Sequence, residues 1–311
     1  MALTNKGARI LDPILTSVVR GYKNLELVGN SLFPTVNVNI SGGQVLEFGK
    51  EAFQLYNTAR SPGTNTRRVE FGFQGKPFAL LNHSLEGIVP REHQRDAQAI
   101  PGVDLGRGAV LKVMKSLQLA LEVDQATLAT TAANYAASNK TALAAAARWS
   151  VDTVDPRLAI DAAREAIRTQ CGIYPNTLLL SASAYNALRR NALVKDQFKY
   201  TSSQSITADM LAGYLDVKKV VVGGGIYWNT AGQAIDIWGN NAVLAYVPDT
   251  FGSVGDMGEP SYGYTYTLTG HPVAEEPYYE NNTKSWIYPV SYERAPVLSG
   301  MAAGYLIQTP A

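Results

Sequence analysis

The sequence of 311 residues contains one cysteine, Cys171, which has no partner within the chain, and a disulfide scaffold is therefore excluded. The three histidines, at positions 83, 93 and 271, are too far apart for a zinc motif such as His-Glu-x-x-His. No run approaches the roughly 18 consecutive apolar residues of a membrane span, and the first residues lack the apolar stretch of a signal peptide. We therefore expect a protein that is made and kept in a cytosol.

Charged residues are also scarce. They make up 17% of the chain, against about 25% in ordinary globular proteins. The hydrophobic content of 46% nevertheless excludes disorder, because it allows a core to form. A net charge of +1 gives no general attraction to nucleic acid or to anionic membranes. The chain thus carries fewer charges than the surface of an independent subunit normally needs.

Motifs for catalysis or for cofactor binding are missing from the sequence. Gly223-Gly224-Gly225 follows a strand pattern but lacks the Gly-x-x-x-x-Gly-Lys spacing of a phosphate loop, which favours a tight turn. Cys171 lies at the end of a predicted helix, where a small buried apolar residue is more common than a nucleophile. We therefore predict no catalytic residue, no metal site and no cofactor.

The first part of the chain is predicted to extend away from a core. Residues 1–44 have the pattern of an irregular arm, in which 36–40 alternates like an edge strand. Residues 45–82 predict a long two-stranded loop, with strands at 45–48 and 69–73 and a polar tip that contains Pro62-Gly63. Because an isolated hairpin is marginally stable in water, such a loop is easiest to explain if another subunit covers it.

A long helix is predicted from about residue 104 to residue 138. Asp104 is suited to cap its first turn, and apolar residues such as Val110, Met114 and Leu121 recur on one face. At about 1.5 Å per residue the helix would span roughly 50 Å. This length exceeds what a small core needs and indicates a strut.

Residues 152–247 have the pattern of a compact α/β unit. Asp155-Pro156 predicts the start of a helix that ends at Gly172. Ser183 is predicted to open a second helix, and a third short helix is predicted over 206–215. The strands of this unit are predicted at 177–180, 219–222, 234–238 and 242–247.

The tail from 258 to 311 is rich in strands and in aromatic residues. Many of the 17 tyrosines of the chain lie here, and Tyr262, Tyr264 and Tyr266 are predicted to alternate down one face of a strand. Tyrosine suits contacts between subunits, because it offers a large area and a hydroxyl at a low entropy cost. It is equally common in ordinary strands.

The order of these parts resembles that of the major capsid proteins of tailed bacteriophages, which share the HK97-like fold. The resemblance covers essentially the whole chain and includes short segments at 174–181, 220–223, 237–239, 244–248 and 261–266. It implies an α+β fold with an N-terminal arm (1–44), an extended loop (45–82), a peripheral domain (83–151 and 255–311) that holds the long spine helix, and an axial α/β domain (152–254).

The resemblance also implies a function. The chain would be a structural subunit, without enzyme activity, that forms hexamers and pentamers of itself. These would build the icosahedral head shell of the virion around double-stranded DNA, held without sequence-specific binding. The further partners implied are a separate scaffolding protein, because the chain begins almost directly at the arm, a portal protein and a decoration protein. No membrane is involved, and assembly would take place in the host bacterial cytoplasm.

Contacts between subunits are predicted at two places. They are the loop tip and the tail strand, with the candidate residues Arg60, Arg67, Arg68, Tyr262, Tyr264 and Tyr266. Two alternatives stay open at this point. One is an encapsulin-like nanocompartment shell of the same fold, which encloses an enzyme. The other is an α/β enzyme with 152–247 as its catalytic domain, against which the lack of a convergent set of His, Cys and acidic residues argues.

Overall fold

The computed structural model describes residues 12–21, 27–47, 59, 74–98, 104–199, 206–248 and 261–311. The helices in this part of the chain are α1 (Pro13–Gly21), α2 (Arg91–Gln98), α3 (Leu105–Thr130), α4 (Pro156–Cys171), α5 (Ala182–Arg190), α6 (Ala192–Phe198) and α7 (Ala208–Tyr214). The strands are β1 (Thr35–Val38), β2 (Gly42–Glu47), β3 (Gln74–Ala79), β4 (Leu81–Pro90), β5 (Lys140–Ala142), β6 (Thr177–Ser181), β7 (Lys219–Gly223), β8 (Ile226–Trp228), β9 (Ala234–Asp236), β10 (Asn241–Ala245), β11 (Gly263–Leu268), β12 (Val273–Ala274), β13 (Tyr278–Glu280), β14 (Ser285–Leu298) and β15 (Gly304–Gln308).

A six-stranded sheet joins the arm, the segment after the loop and the tail. Its central strand is β14, which pairs with β4 along one side and with β11, β12 and β13 in succession along the other. The arm strand β1 is added in parallel beside β11, with Thr35 opposite Thr265. The edge strand predicted at 36–40 is therefore confirmed in position, but it ends at Val38.

Helix α3 packs against one face of this sheet. Its buried residues include Val110, Met114 and Leu117, which share a cluster with Tyr288 and Val290 of β14. The Asp104 carboxylate caps the first turn by accepting a hydrogen bond from the Arg107 N–H, as the sequence predicts. The apolar periodicity of the sequence thus corresponds to the face of α3 that packs on the sheet.

The C-terminal end of α3 differs from the prediction, since the helix stops at Thr130 and not near 138. The hydroxyls of Thr127, Thr130 and Thr131 each donate to the carbonyl four residues earlier, and Thr131 then takes an extended conformation. Threonines that bond back to the helix in this way compete with its continuation. The 26 residues of α3 therefore span about 39 Å instead of roughly 50 Å.

The α/β unit is built on a five-stranded sheet with the strand order β5-β15-β10-β6-β7. The predicted helix start at Asp155-Pro156 is confirmed, and so is its end at Gly172, which has a left-handed φ of 69°. Two details differ: Ser181, and not Ser183, caps α5, and α6 was not predicted. Strands β5 and β15 join this sheet from outside 152–247, so the final strand of the chain belongs to the α/β unit.

A separate hairpin connects β7 to β10 along the chain. It consists of β8 and β9, which pair only with each other among the described strands. The strand predicted at 234–238 is shorter here, and its partner β8 was not predicted. Because β8, and not a helix, follows Gly223-Gly224-Gly225, the phosphate-loop geometry is absent.

Candidate assembly surfaces

The structure describes the base of the predicted loop but not its tip. Arg60, Arg67 and Arg68, like the strand predicted at 69–73, lie outside the described residues. At the base, β2 and β3 form an antiparallel pair from Gly42 opposite Ala79 onward. The strand predicted at 45–48 overlaps β2, but its partner in the structure is β3 (Gln74–Ala79), which follows the predicted strand at 69–73.

The loop base is attached to the tail strand by aromatic stacking. The rings of Phe78 on β3 and Tyr266 on β11 stack with centroids 4.4 Å apart and an angle of 17° between their planes. Gly43 permits this arrangement, because a Cβ atom there would lie 2.9 Å from the Phe78 ring. Burial raises the pKa of Tyr266 to about 12, with the neighbouring Tyr264 contributing. Tyr264 and Tyr266 lie on one half-buried face, and each keeps some exposed surface.

Tyr262 has different surroundings from the other two tyrosines. Its side chain is fully buried, its hydroxyl oxygen lies 2.5 Å from that of Tyr135, and its ring centroid lies 5.4 Å from that of Phe33. Strand β11 begins only at Gly263, so the two-residue alternation does not extend to Tyr262. Tyr262 therefore has no surface for a contact with another subunit and is a core residue.

A buried carboxylate joins the arm, α3 and the α/β unit. Glu122 of α3 is 3% exposed and accepts hydrogen bonds from the backbone N–H groups of Val28 (3.0 Å) and Gly29 (2.8 Å). It also accepts one from the indole Nε1 of Trp238 at 2.8 Å. Burial raises the pKa of Glu122, and these three donors lower it in part. Three segments that are distant in sequence thus meet at one side chain.

The neighbouring residue Gln125 extends this junction. Its amide donates to Asn30 Oδ1 at 3.2 Å and to Thr265 Oγ1 at 2.8 Å. A Cβ atom on Gly29 would lie 2.8 Å from a carboxylate oxygen of Glu122 and closer still to Gln125, so only glycine fits. The only sequence signal for this junction is Glu122 itself, which interrupts the apolar face of α3.

Two exposed apolar side chains lie on the hairpin β8–β9. Trp228 is 69% exposed and Ile226 is 48% exposed, and they share a face because they are two residues apart on β8. These residues were not predicted as contacts. The feature of the sequence that could have indicated this contact is the stretch 220–235, which contains no charged residue.

The titratable residues do not form a catalytic arrangement in the described part of the chain. No group of three or more His, Cys, Asp or Glu residues there could hold a metal ion. Burial raises the pKa of Cys171 to about 11, so its thiol stays protonated near neutral pH. Arg294 is fully buried, where its guanidinium lies 3.5 Å from Asp124 and donates to the Leu117 carbonyl. Burial lowers the pKa of Arg294.

No helix among the described residues is long and apolar enough to cross a membrane.

Comparisons with known proteins are consistent with one another. The family described as phage major capsid protein E matches residues 115–286. The major capsid protein of Burkholderia phage BcepMu is 36% identical over 301 residues, which cover 96% of each chain. The crystal structure of a phage-related protein from Bordetella bronchiseptica has 43% identity and a TM-score of 0.84, covering 97% of this chain and 98% of that one.

A more distant likeness bears on the fold alone. The capsid structure of cyanophage P-SCSP1u has 10% identity and a TM-score of 0.57, covering 99% of this chain and 93% of that one. Phage capsid proteins of the HK97-like type therefore share this arrangement of helices and sheets, and the predicted α+β fold class is confirmed.

Proposed function

Because the chain belongs to the phage major capsid protein E family and is a structural subunit of a phage capsid shell, we propose that it builds a closed icosahedral head from hexamers and pentamers of itself. The observation that carries this proposal is the 36% identity with the BcepMu major capsid protein over 96% of both chains. The resemblance therefore extends across the arm, the helix α3, the α/β unit and the tail.

We propose that the subunit is divided into domains at the boundaries that the sequence indicates, with one change. We propose an arm (1–44), an extended loop (45–82), a peripheral domain (83–151 and 255–311) and an axial domain (152–254). The pairing of β5 and β15 with β10 and β6 supports adding residues 140–142 and 304–308 to the axial domain. Tyr264 and Tyr266 stay candidates for contacts between subunits, together with Arg60, Arg67 and Arg68 of the loop tip.

The capsid family places the protein in the virion and makes other copies of the chain its partners. We propose in addition that the shell encloses double-stranded DNA, bound without sequence specificity, and that assembly takes place in the host bacterial cytoplasm. A scaffolding protein, a portal protein and a decoration protein complete the proposed set of partners. The structural role of the family supports a subunit without enzyme activity.

Expression of the chain, alone and together with a scaffolding protein, tests this proposal by sedimentation and electron microscopy. We expect closed particles of uniform diameter. A product that stays monomeric under both conditions would contradict the proposal.

The contents of the particles separate a phage head from an encapsulin-like compartment. Both the family match and the BcepMu relative are phage capsid proteins, and they favour the phage head over that alternative. Particles from infected cells should hold DNA. Particles that hold a cargo enzyme instead would favour the compartment.

A further inference from the structure

The hairpin β8–β9 exposes two large apolar side chains to solvent. Trp228, 69% exposed, and Ile226, 48% exposed, project from the same face of β8. The register places Ala234 opposite Trp228 and Asp236 opposite Ile226, so small or short side chains lie beside the two large ones. Large aromatic side chains that are left in water are the residues that most often dominate the energy of an interface.

Hydrogen bonds in the turn and at the base order the backbone that carries these side chains. The carboxamide oxygen of Asn229 accepts hydrogen bonds from the N–H groups of Ala231 (3.0 Å) and Gln233 (2.9 Å), and Gly232 takes a left-handed φ of 72°. At the base, the N–H of Ile237 donates to the Gly225 carbonyl at 3.0 Å. A surface that is already ordered loses little conformational entropy on binding.

The base of the hairpin is also anchored to the core. Gly223 packs closely against the Trp238 ring: a Cβ atom at this position would lie 2.8 Å from the ring atom Cγ. Trp238 is in turn held by its hydrogen bond to Glu122. Trp228 is therefore exposed on a hairpin whose base is fixed to the core of the subunit.

The chemistry of the hairpin fits a second copy of this chain. Residues 220–235 contain no charged side chain, and the first charge after them is Asp236, an exposed residue opposite Ile226. The face around Ile226 and Trp228 is therefore mainly apolar, with one acidic side chain beside it. Aromatic residues with few charges are typical of the core of interfaces between identical subunits. Self-association is the established interaction of this capsid subunit.

We propose that the face of the β8–β9 hairpin formed by Ile226 and Trp228 is a contact between subunits, which a second copy of this chain covers during assembly. The proposal rests on the proposed function, since it requires a shell built from this chain. Every copy presents the same hairpin, so one substitution removes the contact from all equivalent interfaces.

Tryptophan fluorescence tests the proposal directly. The other three tryptophans are Trp149 and Trp238, which are buried, and Trp286, which is half-buried. Acrylamide should therefore quench mainly Trp228 in the unassembled subunit, and Trp228→Phe identifies its signal. We expect this quenching to disappear when the same wild-type subunits sediment as particles. Trp228 that stays equally quenchable in the particles would overturn the proposal.

Assembly of variants gives a second, independent measurement. Trp228→Ser should reduce the fraction of subunit in particles by about tenfold or more, while Trp228→Phe should retain most of the assembly. Leu158→Ser is the matched control, because Leu158 on α4 is 70% exposed. Near-ultraviolet circular dichroism of the unassembled variants establishes that each one is folded.

The outcomes separate this contact from the proposed function. If the wild-type protein never assembles, both the proposed shell function and the hairpin contact are overturned. If the wild-type protein assembles and Trp228→Ser assembles equally well, only the hairpin contact is overturned. An equal loss of assembly in Trp228→Ser and Leu158→Ser also overturns the assignment to the hairpin.

Discussion

Trp228 and Trp238 are close in sequence but lie in opposite surroundings. Trp238 is 1% exposed and donates its indole N–H to the buried Glu122, whereas Trp228 is 69% exposed on the hairpin β8–β9. Trp238 stabilises the fold of the subunit, whereas the side chain of Trp228 is accessible at the surface. The difference shows that an aromatic residue in this sequence is not by itself a sign of a contact between subunits. Tyr262, which is also fully buried, supports the same conclusion.

The largest effect is expected from Trp238→Ala. Removing this side chain leaves a cavity at the junction and takes one donor from Glu122, so the free energy of unfolding should fall by about 3–5 kcal/mol. Urea unfolding of the unassembled subunit measures the change. A loss below about 1 kcal/mol would show that the junction does not stabilise the subunit.

The next effect is expected from Gly29→Ala. The added Cβ would lie 2.8 Å from a carboxylate oxygen of Glu122 and would force the arm away from α3. We expect a loss of about 1–3 kcal/mol in the free energy of unfolding. Gly108→Ala on α3 is the control, because nothing lies within 4 Å of its Cβ position. That variant should be unchanged or slightly more stable, since alanine favours a helix.

Tyr262→Phe examines the buried pair of hydroxyls. The oxygens of Tyr262 and Tyr135 are 2.5 Å apart, and the substitution leaves the Tyr135 hydroxyl without this neighbour. The free energy of unfolding should fall by about 1 kcal/mol. Tyr227→Phe on the half-buried side of the hairpin should have no measurable effect. Equal effects of the two substitutions would contradict the distinction between interior and hairpin tyrosines.

The pH dependence of stability should report the burial of Glu122. Because the pKa of Glu122 in the folded subunit is raised above its ordinary value of 4.5, the folded state binds the proton more tightly than the unfolded state. Its contribution therefore favours folding increasingly as the pH falls through the raised pKa toward 4.5 and is lost as the pH rises. The Tm of the unassembled wild-type subunit, relative to that of Glu122→Gln, should be higher at about pH 5 than at about pH 8. The opposite slope would show that the three donors outweigh burial.

The smallest effect on the subunit itself is expected from Trp228→Ser. The side chain is mostly exposed, so the free energy of unfolding should change by less than about 0.5 kcal/mol. Urea unfolding beside Trp238→Ala completes the comparison of the two tryptophans. A loss above about 2 kcal/mol in Trp228→Ser would place this residue in the core of the subunit.

Local signals in the sequence predicted the elements that depend on neighbouring residues. Asp104 and Asp155 cap the helices that follow them, because a cap needs only a side chain and the next turn. The arm strand β1 and the strand β6 follow from alternation and from a short apolar run. The apolar pattern predicts a longer α3, which ends at Thr130 because the hydroxyls of Thr127, Thr130 and Thr131 bond back to the helix and compete with its continuation.

The predicted contact residues were less accurate than the elements. Tyr264 and Tyr266 do lie on one face of β11, but Tyr262 precedes the strand and turns into the core. Burial of this kind depends on Phe33, Tyr135 and Gly304, which are distant in sequence. A pattern of alternating tyrosines cannot distinguish these cases.

The sequence by itself determined the order of the parts, the low charge and the family likeness. These properties depend on composition and on short-range patterns, and they were sufficient to indicate a shell subunit. Only the tertiary structure decided that β15 completes the sheet of the α/β unit, that Glu122 joins the arm to α3 and Trp238, and that Trp228 stays exposed. The physical reason is that strand pairing, burial and the sharing of one carboxylate are set by segments far apart in the chain, which meet only in the folded subunit.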